Sequence, residues 1–305
     1  MNANLDLGPR TSSIVAWIER AMGPGARVVS SEAMPVSSTE KHRIEVALGN
    51  GSSCQLVLRR YHDVQRLRSD PWYVPANEAL ALELLADTAV PAPRLHGVDA
   101  EAAVCDVPAL LESWIPGATL QPTDDIDRYL ARAAEVLVAL HAVSIPAGVR
   151  LPEYAPYRRA EPIVSPAFSA RPGLWERVAR SLADHLPAHE PTFIHRDYHP
   201  GNIHWDGVRV TGVVDWATAA WGPPGIDLAR MRLDLAATHG AAIADRFTQA
   251  YATAGGDRSA RDRYWDLLDA ADDMLDIVPA TPAEAREWAR FEDYVERLLA
   301  EGTPA

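Results

Sequence analysis

The chain reads as an α+β protein of two lobes, a small β-rich N-terminal lobe and a larger, mostly helical C-terminal lobe. Three observations predict this. Period-two alternation is concentrated before about residue 113, apolar residues recur at helical spacing beyond residue 120, and Pro116-Gly117 breaks the chain between the two regimes. At 305 residues the chain is long enough to divide its core. The lobes are expected at residues 1–113 and 114–305.

An amphipathic helix, Ser13-Ile14-Val15-Ala16-Trp17-Ile18, opens the chain and stops near Gly23-Pro24-Gly25. Alternation over residues 42–48, the turn Gly49-Asn50-Gly51-Ser52 and the run 54–60 describe a β-hairpin. Asn77 through Leu85 is helical, with Leu80, Leu84 and Leu85 on one face, and Pro91-Ala92-Pro93 ends it. Further strands are expected at residues 94–98 and 109–114. Beyond the boundary, Ile126 to His141 carries an apolar stripe behind the capping residues Thr123 and Asp124. The Pro-rich stretch 152–172 reads as an irregular connection, and residues 171–186 return to helix. Residues 203–205, the turn Asp206-Gly207 and residues 208–214 form a second hairpin. After Pro223-Pro224-Gly225, helices begin at Ile226, Ala241, Ser259 and Pro282.

Hydrophobic residues make up 48% of the chain and charged residues 23%, a globular composition that argues against disorder. With 42 acidic against 29 basic residues the net charge is −13, which disfavours nucleic acid and anionic membrane surfaces as partners and attracts cationic small molecules. There is neither a basic-then-apolar leader nor a run of roughly 18 apolar residues, so a cytoplasmic protein is expected. Cys54 and Cys105 lack metal-ligand or CxxC spacing and read as reduced thiols. Monomer and homodimer both remain open.

The chemistry is concentrated in Phe193-Ile194-His195-Arg196-Asp197-Tyr198-His199-Pro200-Gly201-Asn202, followed by Asp215-Trp216. A carboxylate, a carboxamide and a second carboxylate stand in the order that nucleotide-dependent phosphoryl transfer needs: one acceptor for a hydroxyl proton and two oxygen ligands for Mg²⁺. Asp197 is the candidate catalytic residue. Asn202 offers a neutral oxygen to the metal, Asp215 a charged one, and Gly201 lets the loop turn tightly. A lone Asp in a loop is usually a turn residue; the ordered set with a hairpin inside it is what carries the argument.

His195-Arg196-Asp197-Tyr198-His199-Pro200-Gly201-Asn202, Gly212-Val213-Val214-Asp215-Trp216 and Gly222-Pro223-Pro224-Gly225-Ile226-Asp227-Leu228-Ala229 resemble the aminoglycoside phosphotransferase family, which shares a protein-kinase-like fold with choline kinases. The similarity runs from about Val28 to about Leu268. It implies ATP or GTP as co-substrate, Mg²⁺ as cofactor and a small-molecule hydroxyl as acceptor. It puts Arg59 where the family has a phosphate-binding lysine, a substitution of a rigid fork for a point charge; the plain reading of Arg59 is a surface strand arginine beside Arg60. Glu78 matches the acid that pairs with that cation. Ser113, Trp114 and Ile115 match the linker whose backbone meets the adenine, through Ser113 and Ile115. Ser37, Ser38 and Thr39 match the phosphate-covering loop, which here lacks glycine and reads equally as a polar turn. His195, Arg196 and His199 are expected to be scaffolding, and Asp227, capping the helix from Ile226, to order the catalytic loop from behind.

The same resemblance places the acceptor among the C-terminal helices. Asp266, Asp269, Asp273 and Asp276 recur on one helix face, which is either a cation-binding stripe or a solvated surface. Trp221 and Trp265 can stack on a ring or simply be core. The expected activity is O-phosphorylation of an amine-bearing antibiotic such as an aminoglycoside, macrolide or cyclic peptide. The alternatives are a kinase of a small metabolite (choline, a sugar or homoserine) and a nucleotide-binding pseudokinase.

Overall fold

Alternating residues of the N-terminal third build a five-stranded antiparallel sheet: β1 (Arg27–Ala33), β2 (Glu40–Ala47), β3 (Ser53–Arg60), β4 (Leu95–Asp99) and β5 (Ala109–Ser113), in the order β1-β2-β3-β5-β4. The computed structural model describes residues 5–35, 39–121, 124–157, 162–184, 187–272 and 278–301. The chain divides into two units: Met1–Gly117 with Arg150–Pro152 and Thr211–Ala219, and Ala118–Val149 with Glu153–Val210 and Ala220–Ala305. Among the described residues no helix is long and apolar enough to cross a membrane.

In the first unit, side-chain alternation gives the sheet two different faces. Ile44, Val46, Leu56, Leu58, Ala109 and Leu111 point one way and join Ile14 and Ile18 of α1 (Thr11–Ala21) in a core. Burying each of the Ile, Val and Leu side chains among them contributes about 1.5–3 kcal/mol. The register Lys41↔Arg59↔Leu110 and Val57↔Glu112 puts those residues on the opposite face. α3 (Pro75–Leu85) begins at a proline in its first turn and buries Glu78 among Ala79, Leu82 and Leu85. Two elements were not expected. β1 is an edge strand whose exposed pattern hides the alternation, and α2 (Val64–Ser69) is a six-residue helix capped by Asp63, which accepts the Arg66 N–H at 2.9 Å.

The second unit is mostly helical. α4 spans Ile126–His141, the bounds expected from its stripe, but its cap is Asp125, which accepts the Arg128 N–H. Asp124 instead accepts from the Trp205 indole at 2.9 Å, and Thr123 lies outside the described residues. α5 is Pro172–Asp184. Two three-residue strands, β6 (Thr192–Ile194) and β9 (Ala220–Gly222), pair antiparallel and were too short to read from sequence. β7 (Ile203–Trp205) runs into a turn in which Asp206 Oδ1 accepts the N–H groups of Val208 and Arg209; β8 (Val210–Val213) then carries the chain into the first unit. α6 (Gly225–His239) is buried along its length and packs on α7 (Ala241–Thr253), α8 (Arg263–Asp272) and α9 (Pro282–Ala300). A capping box, Thr281 with Glu284, starts α9.

A buried ion pair crosses this helical core. Arg232 Nη1 of α6 donates to both oxygens of Asp266 of α8 at 2.8 and 2.5 Å, and both side chains are 1% exposed. Burial pushes the Asp266 carboxyl up to about 6 despite the guanidinium. Because that lies above the unfolded value of about 3.9, the folded state holds the proton over the interval between them. The group's contribution to stability is therefore present below about pH 3.9 and lost as pH rises through about 6. Asp266→Ala is expected to strand the guanidinium and cost about 3–5 kcal/mol, whereas Arg232→Met with Asp266→Leu recovers most of that loss. Urea unfolding of the three proteins decides it: a double variant as unstable as the single would show that the site needs more than charge balance.

Candidate active site

The loop holding Asp197 is shaped from behind by Asp227 of α6. Its carboxylate, inaccessible to water, accepts the backbone N–H of His195 at 2.9 Å and of Arg196 at 2.6 Å, and His141 Nε2 of α4 donates to it at 3.1 Å. Asp227 makes no cap to its own helix; it caps the loop. The backbone at Arg196 is left-handed, with φ 72°, a strained conformation for a side chain with a Cβ. Its guanidinium is held by the Ala155 carbonyl at 2.8 Å, by the ring of Tyr157 at 3.7 Å and by Asp272 at 3.9 Å. His195 Nδ1 accepts the Asp197 N–H at 3.2 Å, and the Tyr198 hydroxyl donates to the Ala133 carbonyl of α4. His195 and Arg196 are thus scaffolding.

Asp197 is one-third exposed and sits between two basic groups, Arg230 Nε of α6 at 2.8 Å and His199 Nε2 at 3.6 Å. Burial opposes its charge, yet Arg230 and His199 hold the carboxyl well below the usual range. Asn202 Nδ2 donates to both the Asp197 carbonyl and its Oδ2, at 2.9 and 3.0 Å. Gly201 has no positive φ; a Cβ there would lie 2.6 Å from the His199 ring, so close approach explains the glycine. Arg230 was missed by sequence reading. Its signal is the i+3 position after Asp227, which puts both on neighbouring turns of one helix.

In the first unit Arg59 is not a surface arginine. Its side chain is 2% exposed, with Nη1 on Glu78 at 2.9 Å, Nη2 on Asp215 at 2.6 Å, and Glu112 at 4.0 Å. Glu78 also accepts from the Tyr61 hydroxyl and, at 3.1 Å, from the Trp216 N–H. Burial, with Glu78 nearby, pushes Glu112 up to about 8. Asp215 adopts φ 68°, ψ 60°, and its second oxygen faces Lys41 Nζ at 3.5 Å. Neither Lys41 nor Glu112 was foreseen.

Magnesium takes hard oxygens and keeps several waters, so it asks for one or two carboxylate or carboxamide ligands rather than a cage. Asp215 of the first unit carries a carboxylate of that kind, and Asn202 of the second a carboxamide whose nitrogen is engaged by Asp197; each side chain, taken by itself, has the chemistry the ion accepts. Among the described residues no cluster of three His, Cys, Asp or Glu side chains forms a cage.

The remaining expected residues are placed as follows. Thr39, in the bend just before β2, is fully buried rather than displayed, and Ser37 and Ser38 lie outside the described residues. The Ser113 N–H donates to the Arg94 carbonyl at 2.9 Å and the Trp114 N–H to the Gln55 carbonyl at 3.0 Å, and the Ile115 side chain is buried. Asp266 is tied to Arg232 and Asp269 is buried, because this face of α8 turns into the core; Asp273 and Asp276 lie outside the described residues.

Trp221 and Trp265 instead line a cavity of about 860 Å³ within the second unit, together with Tyr154, Tyr264, Glu153 and Asp272. A Cβ at Gly225 would run into the Trp265 ring, so the α6 start is shaped around that indole. Tyr154 and Asp272 also contact Arg196, the residue before Asp197.

The sequence model of the phosphotransferase enzyme family matches residues 33–266. In fold the chain is similar to aminoglycoside phosphotransferase APH(4)-Ia, at 15% identity over 96% of this chain and 99% of that one, with a TM-score of 0.64. A thermostable mutant of that enzyme, in ternary complex with ADP and hygromycin B, matches at 17% identity over 96% and 100%, TM-score 0.63. Macrolide 2'-phosphotransferase MphH from Brachybacterium faecium matches at 19% identity over 96% and 99%, TM-score 0.56. With its β-sheet unit, its helical unit and a family match over most of its length, the chain belongs to the phosphotransferase enzyme family and has the protein-kinase-like fold of the aminoglycoside phosphotransferases.

Proposed function

We propose that the chain is a Mg²⁺-dependent O-phosphotransferase that moves the terminal phosphoryl group of ATP or GTP to a hydroxyl of an amine-bearing small molecule, with antibiotics of the macrolide or aminoglycoside type as the leading class. The observation that carries this reading is Asp197, an ionised carboxylate immobilised by Arg230, His199 and Asn202 beside a residue anchored in the cavity wall. A carboxylate held this low is a weak base, so its main work is to accept the hydrogen bond of the acceptor hydroxyl and aim its oxygen at the phosphorus. Arg230, within 2.8 Å of Asp197, supplies positive charge near the transferring group. Magnesium, when bound, neutralises charge on the phosphate oxygens.

The acceptor class follows from the cavity. Tyr154, Trp221, Tyr264 and Trp265 offer flat apolar walls, and Glu153 with Asp272 offers negative charge to an amine. Ring-bearing cationic compounds match both features better than choline or homoserine, which are too small to use the walls. Support for the nucleotide is the ADP in the similar APH(4)-Ia complex. The non-catalytic alternative draws on Arg59, whose donors are engaged by carboxylates. Incubation with Mg-ATP or Mg-GTP and a panel of macrolides, aminoglycosides, cyclic peptides, choline, sugars and homoserine, read by the mass gain of one phosphoryl group, tests the proposal; nucleotide binding without transfer to any compound would favour the alternative.

Asp197→Asn is expected to lower kcat by roughly 10²- to 10⁴-fold while nucleotide affinity stays close to wild type. A parallel loss of nucleotide affinity, measured by calorimetry, would mark Asp197 as structural instead.

His199 gives a pH signature. Burial disfavours its charge, but Asp197 and Asp234 lift the ring to about 9. The Gly201 N–H also approaches Nδ1 at 3.3 Å, a contact open only to the neutral ring, and the two carboxylates outweigh it. With the folded value above the unfolded value of about 6.5, the stabilisation is complete below pH 6.5 and is lost as pH rises through about 9. The melting temperature of the wild type should therefore fall more steeply between pH 7 and about 9.5 than that of His199→Gln; equal slopes would mean the ring carries no charge.

A further inference from the structure

Of the 29 basic residues in this chain, one is a lysine, Lys41. It stands on β2 directly opposite Arg59 of β3, and alternation places both on the sheet face that carries Glu112 and looks toward Glu78 and Asp215. The two cations differ in what they can still do. Arg59 is 2% exposed, its two terminal nitrogens each donate to a different carboxylate, and its Nε is buried. A phosphate oxygen reaching Arg59 would have to displace Glu78 or Asp215 and enter a desolvated layer. Lys41 is 18% exposed and meets Asp215 at 3.5 Å, an ion-pair distance that leaves its three rotatable N–H groups able to turn to another anion. Arg43, the next residue on that face, is paired with Glu32 and lies over the Trp114 ring.

Resting on the phosphotransferase reading, we propose that Lys41, rather than Arg59, is the cation that binds the nucleotide phosphates, and that Arg59 is a strut fixing Glu78 and Asp215 in place. The division of labour follows from the chemistry of the two side chains. A guanidinium fork suits two fixed carboxylates at once, while an ammonium on a flexible stem suits a polyanion that enters and leaves. It also accounts for an arginine where a lysine was expected, since the phosphate-binding cation has moved one strand across and kept the same face.

The experiment uses the full chain. Binding of Mg-AMP-PNP and Mg-GMP-PNP is measured by calorimetry for wild type, Lys41→Met and Lys41→Arg, alongside melting temperature and phosphoryl transfer. Lys41→Met should weaken binding of the preferred nucleotide by about 10- to 100-fold, the scale of one charge-assisted hydrogen bond, with the melting temperature unchanged, and Lys41→Arg should recover most of the loss. A second measurement does not depend on any variant folding. An amine-selective N-hydroxysuccinimide ester has only Lys41 and the terminal amine to acetylate, and saturating nucleotide should slow acetylation of Lys41 alone. Nucleotide affinity in Lys41→Met within twofold of wild type, or acetylation of Lys41 unaffected by nucleotide in an enzyme that still phosphorylates an acceptor, overturns the assignment of Lys41 and leaves the phosphotransferase reading intact. A wild type that binds neither nucleotide overturns both.

Discussion

The loop that carries Asp197 depends on one buried carboxylate. Asp227 has no water to solvate it, so its lone pairs must be met by protein donors, and two successive backbone N–H groups plus a histidine meet them. Aiming the N–H groups of His195 and Arg196 at a single carboxylate bends the chain, and the left-handed backbone at Arg196 is the result, at a cost of about 1–3 kcal/mol. That bend is over-determined. The same arginine is pinned by Ala155, Tyr157 and Asp272, and the next residue, Asp197, is clamped by Arg230 and Asn202. The consequence is a carboxylate whose position and charge are set before any substrate arrives, the condition under which electrostatic catalysis needs least reorganisation.

The first unit solves a different electrostatic problem. Three acidic side chains, Glu78, Glu112 and Asp215, surround one arginine in a desolvated space, and with the carboxyl of Glu112 pushed up to about 8 the arginine bridges two charges rather than three. Such a bridge is rigid because removing any member strands another. Rigidity suits Glu78, which also holds the Trp216 backbone and so fixes the segment that begins at Asp215. It does not suit ligand exchange. On the proposed reading, holding Asp215 for a metal and releasing a nucleotide product are conflicting demands on one side chain, and dividing them between Arg59 and Lys41 removes the conflict.

How much of this was legible in the sequence depended on whether the signal was local. The bounds of α4 and the β2–β3 hairpin were, because an amphipathic stripe and a Gly-Asn-Gly turn lie within the segments they specify. β1 was not, since an edge strand carries little burial pattern, and neither were β6 and β9, three residues each, whose pairing partners lie far apart in sequence. The site divides the same way. Asp197, Asn202 and Asp215 stand in contiguous motifs, whereas Arg230 reaches Asp197 across 33 residues and Asp227 reaches His195 across 32. The acidic face of α8 shows the limit most clearly: periodicity says which aspartates share a face, but not that the face carrying Asp266 turns toward Arg232 while Asp272 lines the cavity.

On the proposed reading one chain of net charge −13 binds a polyanionic nucleotide and a cationic acceptor, and its field cannot favour both. The resolution is to separate the two by range. Long-range attraction serves the acceptor, whose amine is drawn toward a negative molecule and then meets Glu153 and Asp272 at the cavity wall. The nucleotide relies on short-range contacts, a cation at contact distance and a metal, strong enough to overcome the repulsion. At physiological ionic strength the Debye length of about 8 Å screens the long-range part and leaves contact pairs largely intact. Added salt therefore weakens what helps the acceptor and relieves what hinders the nucleotide, so the two KM values are expected to move in opposite directions as ionic strength rises, the acceptor's upward and the nucleotide's downward or unchanged. Two KM values that rise together would place the nucleotide's binding energy in screened, longer-range charges rather than in contact pairs such as that with Lys41.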